Sequence, residues 1–210
     1  MTFASAAAEL AAVGRRFYAR GWAVGTSGNF SAVVARRPLR LAITASGLSK
    51  RELVPSQILL CDERGVPAEN REARRAGKPS AETLLHLEIV RHQGAGAVLH
   101  THSVWSTMLS ARHARDGGLQ IQGYEMLKGL EGVTTHEHRE WIPVIENDQD
   151  MPRLARVVAD TLAEHASAHA FLLRRHGLYT WGASLREAER HVEILEFLFE
   201  TIARSEAQSS

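Results

Sequence analysis

The apolar positions along the chain alternate between helical and strand-like spacing. Between residues 3 and 20, Leu10, Val13, Phe17 and Tyr18 recur at the helical period and Gly21 follows as a stop, which predicts an opening helix. Three short β-rich runs come next, residues 29–34, 40–44 and 57–61, set apart by Pro and Gly, and they predict neighbouring strands. A helix is signalled after Pro79, where Ser80 is placed to cap the first turn and residues 82–90 set Leu84, Leu87 and Val90 on one face. Residues 94–103 read as a turn, a buried strand over 97–100, and a polar exit into a helix from about Val104. Beyond a loop-rich, histidine-containing middle, residues 141–146 predict a strand, 151–165 a helix and 170–174 another strand. The last helix spans 184–204, with Ala188, Val192, Leu195 and Phe199 as its apolar stripe, and the polar tail 205–210 is expected to be disordered. With no internal repeat and no low-complexity linker, this order implies an α/β fold whose layered sheet is covered by helices on both faces.

Composition narrows the class. At 210 residues, 44% hydrophobic and 23% charged, the chain is expected to form one domain, residues 1–210. Lys and Arg total 25 against 24 for Asp and Glu, so a net charge of +1 gives no general pull toward nucleic acid or an anionic membrane, and any anion site must be local. No apolar run is long enough to span a bilayer, and the N-terminal segment, interrupted by Glu9, Arg15 and Arg16, lacks the order of a secretion signal. The lone Cys61 sits in an apolar run and fits a reducing, cytoplasmic setting.

Candidate chemistry centres on His100-Thr101-His102, because alternate residues of an extended strand point the same way and can offer two imidazoles to one metal ion. A catalytic zinc site takes a third protein ligand. Among the 11 histidines His176 stands out, in a turn before Gly177. Two glycine-rich turns, Gly25-Thr26-Ser27-Gly28-Asn29 and Thr44-Ala45-Ser46-Gly47, carry backbone N–H groups and hydroxyls suited to a phosphate, though such a motif taken singly is more often a plain turn. Lys50 nearby reads as a solvated lysine. Glu82 and Glu125 are the carboxylates weighed as acid or base, against helix first-turn roles for both. His136 and His138 repeat the alternate spacing but lie in a polar loop, and the remaining histidines, His86 among them, read as surface or helix-face residues.

Taken together, Ser27-Gly28-Asn29, Thr44-Ala45-Ser46-Gly47, Pro79-Ser80-Ala81-Glu82, His100-Thr101-His102-Ser103 and Arg175-His176-Gly177 resemble, in order, the motif set of the class II aldolase and adducin family, over about residues 6–202. Within it, Gly123-Tyr124-Glu125-Met126-Leu127-Lys128-Gly129 and residues 141–151 look like the methylthioribulose-1-phosphate dehydratases. The resemblance implies a three-layer α/β/α fold with a mixed, largely antiparallel sheet, and one zinc ion per subunit held by His100, His102 and His176. It further implies a sugar phosphate gripped by Ser27, Gly28, Asn29, Ser46, Gly47 and Ser80, and a homotetramer. The expected reaction is zinc-dependent dehydration of 5-methylthioribulose 1-phosphate with Glu125 as the base. Glu82 stands where sugar-phosphate aldolases of the family carry their catalytic glutamate, which keeps an aldolase or epimerase as the alternative. A non-catalytic adducin-like interaction module is the rival from another class, and such modules lack the metal histidines.

Overall fold

In the computed structural model, which describes residues 1–68 and 77–208, eight strands form one sheet in the order β3-β2-β1-β4-β8-β7-β6-β5. The chain enters through helix α1 (Phe3–Ala19), whose first turn is closed by Thr2, its side chain accepting from the Ser5 N–H at 3.2 Å. Strands β1 (Asn29–Arg36), β2 (Leu39–Thr44) and β3 (Ile58–Cys61) are antiparallel neighbours, as the three β-rich runs predict. Helix α2 (Thr83–Gln93), strand β4 (Ala97–Thr101) and helix α3 (Val104–Arg112) follow. Then come β5 (Gly118–Ile121), β6 (Glu140–Ile145), α4 (Met151–Glu164), β7 (Ala170–Leu173), β8 (Gly177–Gly182) and α5 (Leu185–Gln208). All neighbouring strands run antiparallel except β6 with β7.

Period-two alternation splits the sheet into two apolar faces. Val98, Phe171, Leu173 and Trp181 pack against Leu85, Ile89, Leu154 and Val158 of α2 and α4. On the other face, Phe30, Ala97 and Leu99 meet Leu10 and Phe17 of α1 with Ala188 and Val192 of α5. Farther along that helix, Leu195, Leu198 and Phe199 cover Ile142, Leu172 and Leu178. The expected α/β/α layering is therefore present.

Several local expectations are corrected. Ser80 does not cap α2: Glu82 is its N-cap residue and makes no side-chain cap bond, while the hydroxyl of Ser80, two residues before it, accepts from the Glu82 N–H at 3.3 Å. Strands β5 and β8 have no counterpart in the pattern reading. Helix α5 continues through 205–208, where a disordered tail was expected, because Ile202 and Ala203 keep that end docked on the sheet; residues 209 and 210 lie outside the described residues. Among the described residues, no helix is long and apolar enough to cross a membrane.

Candidate metal and phosphate site

Strand β4 delivers His100 and His102 to one face of the sheet. Thr101, pointing to the other, donates to the Glu196 carboxylate of α5 at 2.9 Å and fixes the strand's rotation. Pairing of β4 with β8 sets His100 opposite Tyr179, and the tight turn between β7 and β8 brings in His176. That turn is demanding: Arg175 takes a positive φ of 54°, and a Cβ at Gly177 would run into the Thr101 carbonyl oxygen. Only glycine at 177 lets the turn lie flat on β4, which is what carries His176 to His102.

The three Nε2 atoms converge, with His102 to His100 at 2.7 Å, His176 to His102 at 3.1 Å and His100 to His176 at 3.3 Å. His100 Nδ1 donates to the Leu178 carbonyl at 2.9 Å and His176 Nδ1 faces Asn147 Oδ1 at 3.4 Å, so both rings carry their proton on Nδ1 and present a bare Nε2 lone pair. Burial first, then the neighbouring rings, hold His100 well below its usual range. Burial, then His176 and Lys50, bring His102 to about 3, and burial lowers His176 against the opposing pull of Glu82. Neutral imidazoles with lone pairs turned on one another at this spacing fit a cation. Around a tetrahedral zinc with bonds of about 2.0–2.1 Å, ligand nitrogens stand about 3.3 Å apart. Two edges of the triangle are near that value and the 2.7 Å edge is tighter.

Glu82 closes one side of the triad, with one oxygen 3.2 Å from His176 Nε2 and the other 3.7 Å from His100 Nε2. Its carboxylate accepts from the Asn29 amide, which also donates to Ser80 Oγ at 3.3 Å. Asn29 Oδ1 in turn accepts from His86 Nε2, and Ser31 donates to His86 Nδ1 at 2.7 Å. His86 is thus no surface residue. It is fully buried, and burial pulls its pKa down to about 3, so it is a neutral relay that fixes the orientation of Asn29. Tyr179 stacks on His100 with ring centroids 3.9 Å apart, and burial, then Glu82, push its phenol far up, so it stays protonated.

The triad opens on a cleft of about 250 Å³ lined by both glycine turns, with Ser46, Ser80, Glu82 and His176 around it. Gly28, at φ 74°, lies so close to β4 that a Cβ would sit 2.8 Å from the His100 carbonyl, which ties the first turn to the histidine strand. Ser27 spends both its N–H (3.1 Å) and its hydroxyl (2.7 Å) on the Val24 carbonyl, holding the turn's own shape. Lys50 is not solvated: it is 1% exposed, and Nζ donates to the Thr26 carbonyl at 3.1 Å and the Leu48 carbonyl at 2.9 Å, pinning the two turns together. Burial lowers its pKa to about 8 against the pull of Glu82, leaving an ammonium with one further donor beside the cleft at neutral pH.

Glu125 alone stands apart. It opens a 3-10 turn (Glu125–Gly129), its side chain is 70% exposed and paired with Lys128, and it does not line the cleft of its own chain. That ion pair holds its carboxyl below the usual range. Sequence reasoning brought the three histidines, the two turns, Ser80 and Glu82 to one place and missed Lys50, His86 and Tyr179. Helical spacing from Glu82 to His86 was the available signal for His86.

The chain matches the class II aldolase and adducin N-terminal domain over residues 8–203. It is 46% identical over 203 residues to methylthioribulose-1-phosphate dehydratase of Methylococcus capsulatus, covering 96% of this chain and 95% of that one. It is also 46% identical over 188 residues to the protein of the same name from Pseudomonas aeruginosa, covering 89% and 88%. Among solved structures, YgbL from Klebsiella pneumoniae superposes with a TM-score of 0.79 at 27% identity, over 97% of this chain and 91% of that one. L-fuculose-1-phosphate aldolase from Thermus thermophilus superposes with a TM-score of 0.74 at 25% identity, over 99% and 96%.

Proposed function

Because the chain belongs to the class II aldolase and adducin family, we propose that it is a lyase converting 5-methylthioribulose 1-phosphate to 2,3-diketo-5-methylthiopentyl 1-phosphate and water, in methionine salvage. The observation that carries this reading is a triad of converging imidazoles opening directly on a cleft lined by the two glycine turns. His100, His102 and His176 would hold one zinc ion per chain. Three imidazoles also suit other divalent metals, and the choice of zinc follows the family resemblance.

Bound there, zinc supplies Lewis acidity at the substrate ketone on carbon two, which makes the proton on carbon three removable. The phosphate end is assigned to Gly28, Asn29, Ser46, Gly47 and Ser80, with Ser27 shaping the first turn and the Lys50 ammonium adding charge. Glu125 takes the proton from carbon three. The freed electron pair then forms the second bond of a double bond between carbons three and four as hydroxide leaves carbon four, and Glu125 returns its proton to that leaving group. The resulting enol gives the diketone on tautomerisation. Since Glu125 is exposed outside its own cleft, the reading sets it over the cleft of a neighbouring copy, in the homotetramer that the family resemblance implies. A cytoplasmic location accords with the buried, unpaired Cys61.

One observation favours a second reading, a sugar-phosphate aldolase or epimerase. Glu82, not Glu125, is the carboxylate within the cleft. Retention of all three histidines speaks against a purely structural module. The variants separate these readings. In Glu125→Gln we expect one zinc per chain to remain and turnover of methylthioribulose 1-phosphate to fall roughly a thousandfold. Undiminished turnover in that variant, or dihydroxyacetone phosphate released from a ketose phosphate and lost in Glu82→Gln, would move the assignment to the aldolases.

A further inference from the structure

Away from the triad, two histidines grip the backbone of Glu131, two residues past the 3-10 turn that carries Glu125. The Glu131 N–H donates to His191 Nε2 at 3.1 Å, and its carbonyl accepts from His169 Nε2 at 2.8 Å. Its side chain also pairs with Arg190 at 3.1 Å. Each ring is engaged on its other nitrogen as well: His191 Nδ1 lies 2.7 Å from the Trp181 carbonyl and His169 Nδ1 lies 3.0 Å from Glu140 Oε2.

These partners fix the protons. Carbonyl and carboxylate oxygens only accept, and an amide N–H only donates. His191 must therefore be neutral, protonated on Nδ1 and accepting on Nε2. His169 faces an acceptor on both nitrogens and must be an imidazolium. Its counter-charge is Glu140, 1% exposed, which also takes the His169 N–H at 2.9 Å and His138 Nε2 at 2.7 Å.

We infer that His169 and His191 are positioning residues, a clamp on Glu131 that sets the turn bearing Glu125 and closes only while His169 is charged and His191 is neutral. The part played by Glu125 rests on the dehydratase reading; the clamp itself does not. Leu127 and Leu130 anchor the turn in the core, and Gly129 lies against Ile194 of α5 so closely that a Cβ would overlap it. Releasing Glu131 therefore frees the end of the turn next to its anchors.

The charged and titratable neighbours decide the net direction for each ring. His169 is faced by Glu140 and His138, by Glu131, and by His191, whose ring centroid is 5.4 Å from its own. Burial lowers His169, but the bond to Glu140 and its charge more than offset this, and the net direction is upward. Burial lowers His191, with His169 and Arg190 adding to it, Glu187 opposing, and the Trp181 carbonyl favouring the charged ring, and the net direction is downward. On losing one proton His169 keeps the other on Nδ1 for the Glu140 carboxylate, the stronger acceptor, so its contact with the Glu131 carbonyl is present below its raised pKa and lost as pH climbs through it, while the His191 contact is present above its lowered pKa and lost as pH falls through it. Between the two the clamp is shut. His138, Glu140 and His169 also come close enough to hold a metal. With both Glu140 oxygens accepting N–H bonds, a proton better accounts for the geometry.

The test is the ring-nitrogen NMR spectrum of the zinc-loaded, full-length chain from about pH 5 to about pH 10, with signals assigned through His169→Gln and His191→Gln. At neutrality His169 is expected to carry protons on both nitrogens and His191 on Nδ1 alone. The Glu131 amide is expected to exchange roughly tenfold faster, beyond the intrinsic pH trend, outside the window set by the two rings. Glu140→Gln should lower the His169 midpoint by about one pH unit or more and carry the alkaline limb of kcat down with it, leaving KM unchanged. A neutral His169 at neutral pH, two bound metal ions per chain falling to one in His169→Gln, or a Glu131 amide whose exchange ignores the two ring midpoints would overturn the clamp, and a kcat limb that stays put while the His169 midpoint moves would overturn its link to Glu125. The spectra need no turnover, so its failure is distinguishable from failure of the dehydratase reading, which shows in the product assay.

Discussion

Lys50 shows how a single buried charge can serve two ends at once. Its ammonium satisfies two carbonyls, Thr26 within the first glycine turn and Leu48 just after the second, and lends a positive charge to a cleft on a chain that is otherwise near neutrality. Because burial lowers its pKa to about 8, the charge is fully present below that pH and disappears above it. The KM for a phosphorylated substrate is therefore expected to rise as pH passes about 8. Lys50→Met should raise KM by roughly tenfold to a hundredfold at neutral pH and abolish that pH dependence, as loss of a charge-assisted hydrogen bond implies. An unchanged KM would remove Lys50 from the proposed phosphate site. At this scale His100 and His102 were legible in the sequence because strand alternation is a local rule. Lys50 and His86 were not, because their burial comes from neighbours distant in sequence: Lys50 under Gly14 of α1, and His86 against Asn29 and Ser31 of β1.

At the scale of elements, the site depends on how the β7–β8 turn meets β4. Gly177 has no room for a Cβ against the Thr101 carbonyl, so Gly177→Ala must push the turn away from the strand that carries His100 and His102. We expect a loss of about 1–3 kcal/mol in stability, typical of overpacking, and zinc content well below one per chain. Thermal unfolding and metal analysis of the purified variant check both, and full zinc occupancy would show that the turn does not set the ligand geometry. The helices and the strands β1 to β4 were readable from period and punctuation. Strand β8 escaped because only Arg174, Arg175 and His176 separate it from β7, too little to read as a boundary between two strands. Strand β5 escaped because four residues with glycine at one end and an exposed Gln120 show too little alternation to stand out.

Over the whole molecule, the layered α/β architecture followed from the order of apolar patterns, whereas the strand order did not. Pairing β4 with β1 joins segments about 70 residues apart and pairing it with β8 joins segments about 80 apart, and nothing in local spacing specifies either. That pairing is what builds the site, since Asn29 from β1, His100 from β4 and Tyr179 from β8 stand side by side across three strands. The two glycine turns, the histidine triad and the relay through Asn29 to His86 are thus brought together by one sheet topology. Glu125 alone stands outside that cluster, and assembly of several copies is the step that would bring it in. The central claim is tested most directly by incubating metal-analysed protein with methylthioribulose 1-phosphate and following the substrate by mass. Loss of one water from the substrate, dependent on one zinc per chain, is expected. Intact substrate in the presence of bound zinc would contradict it.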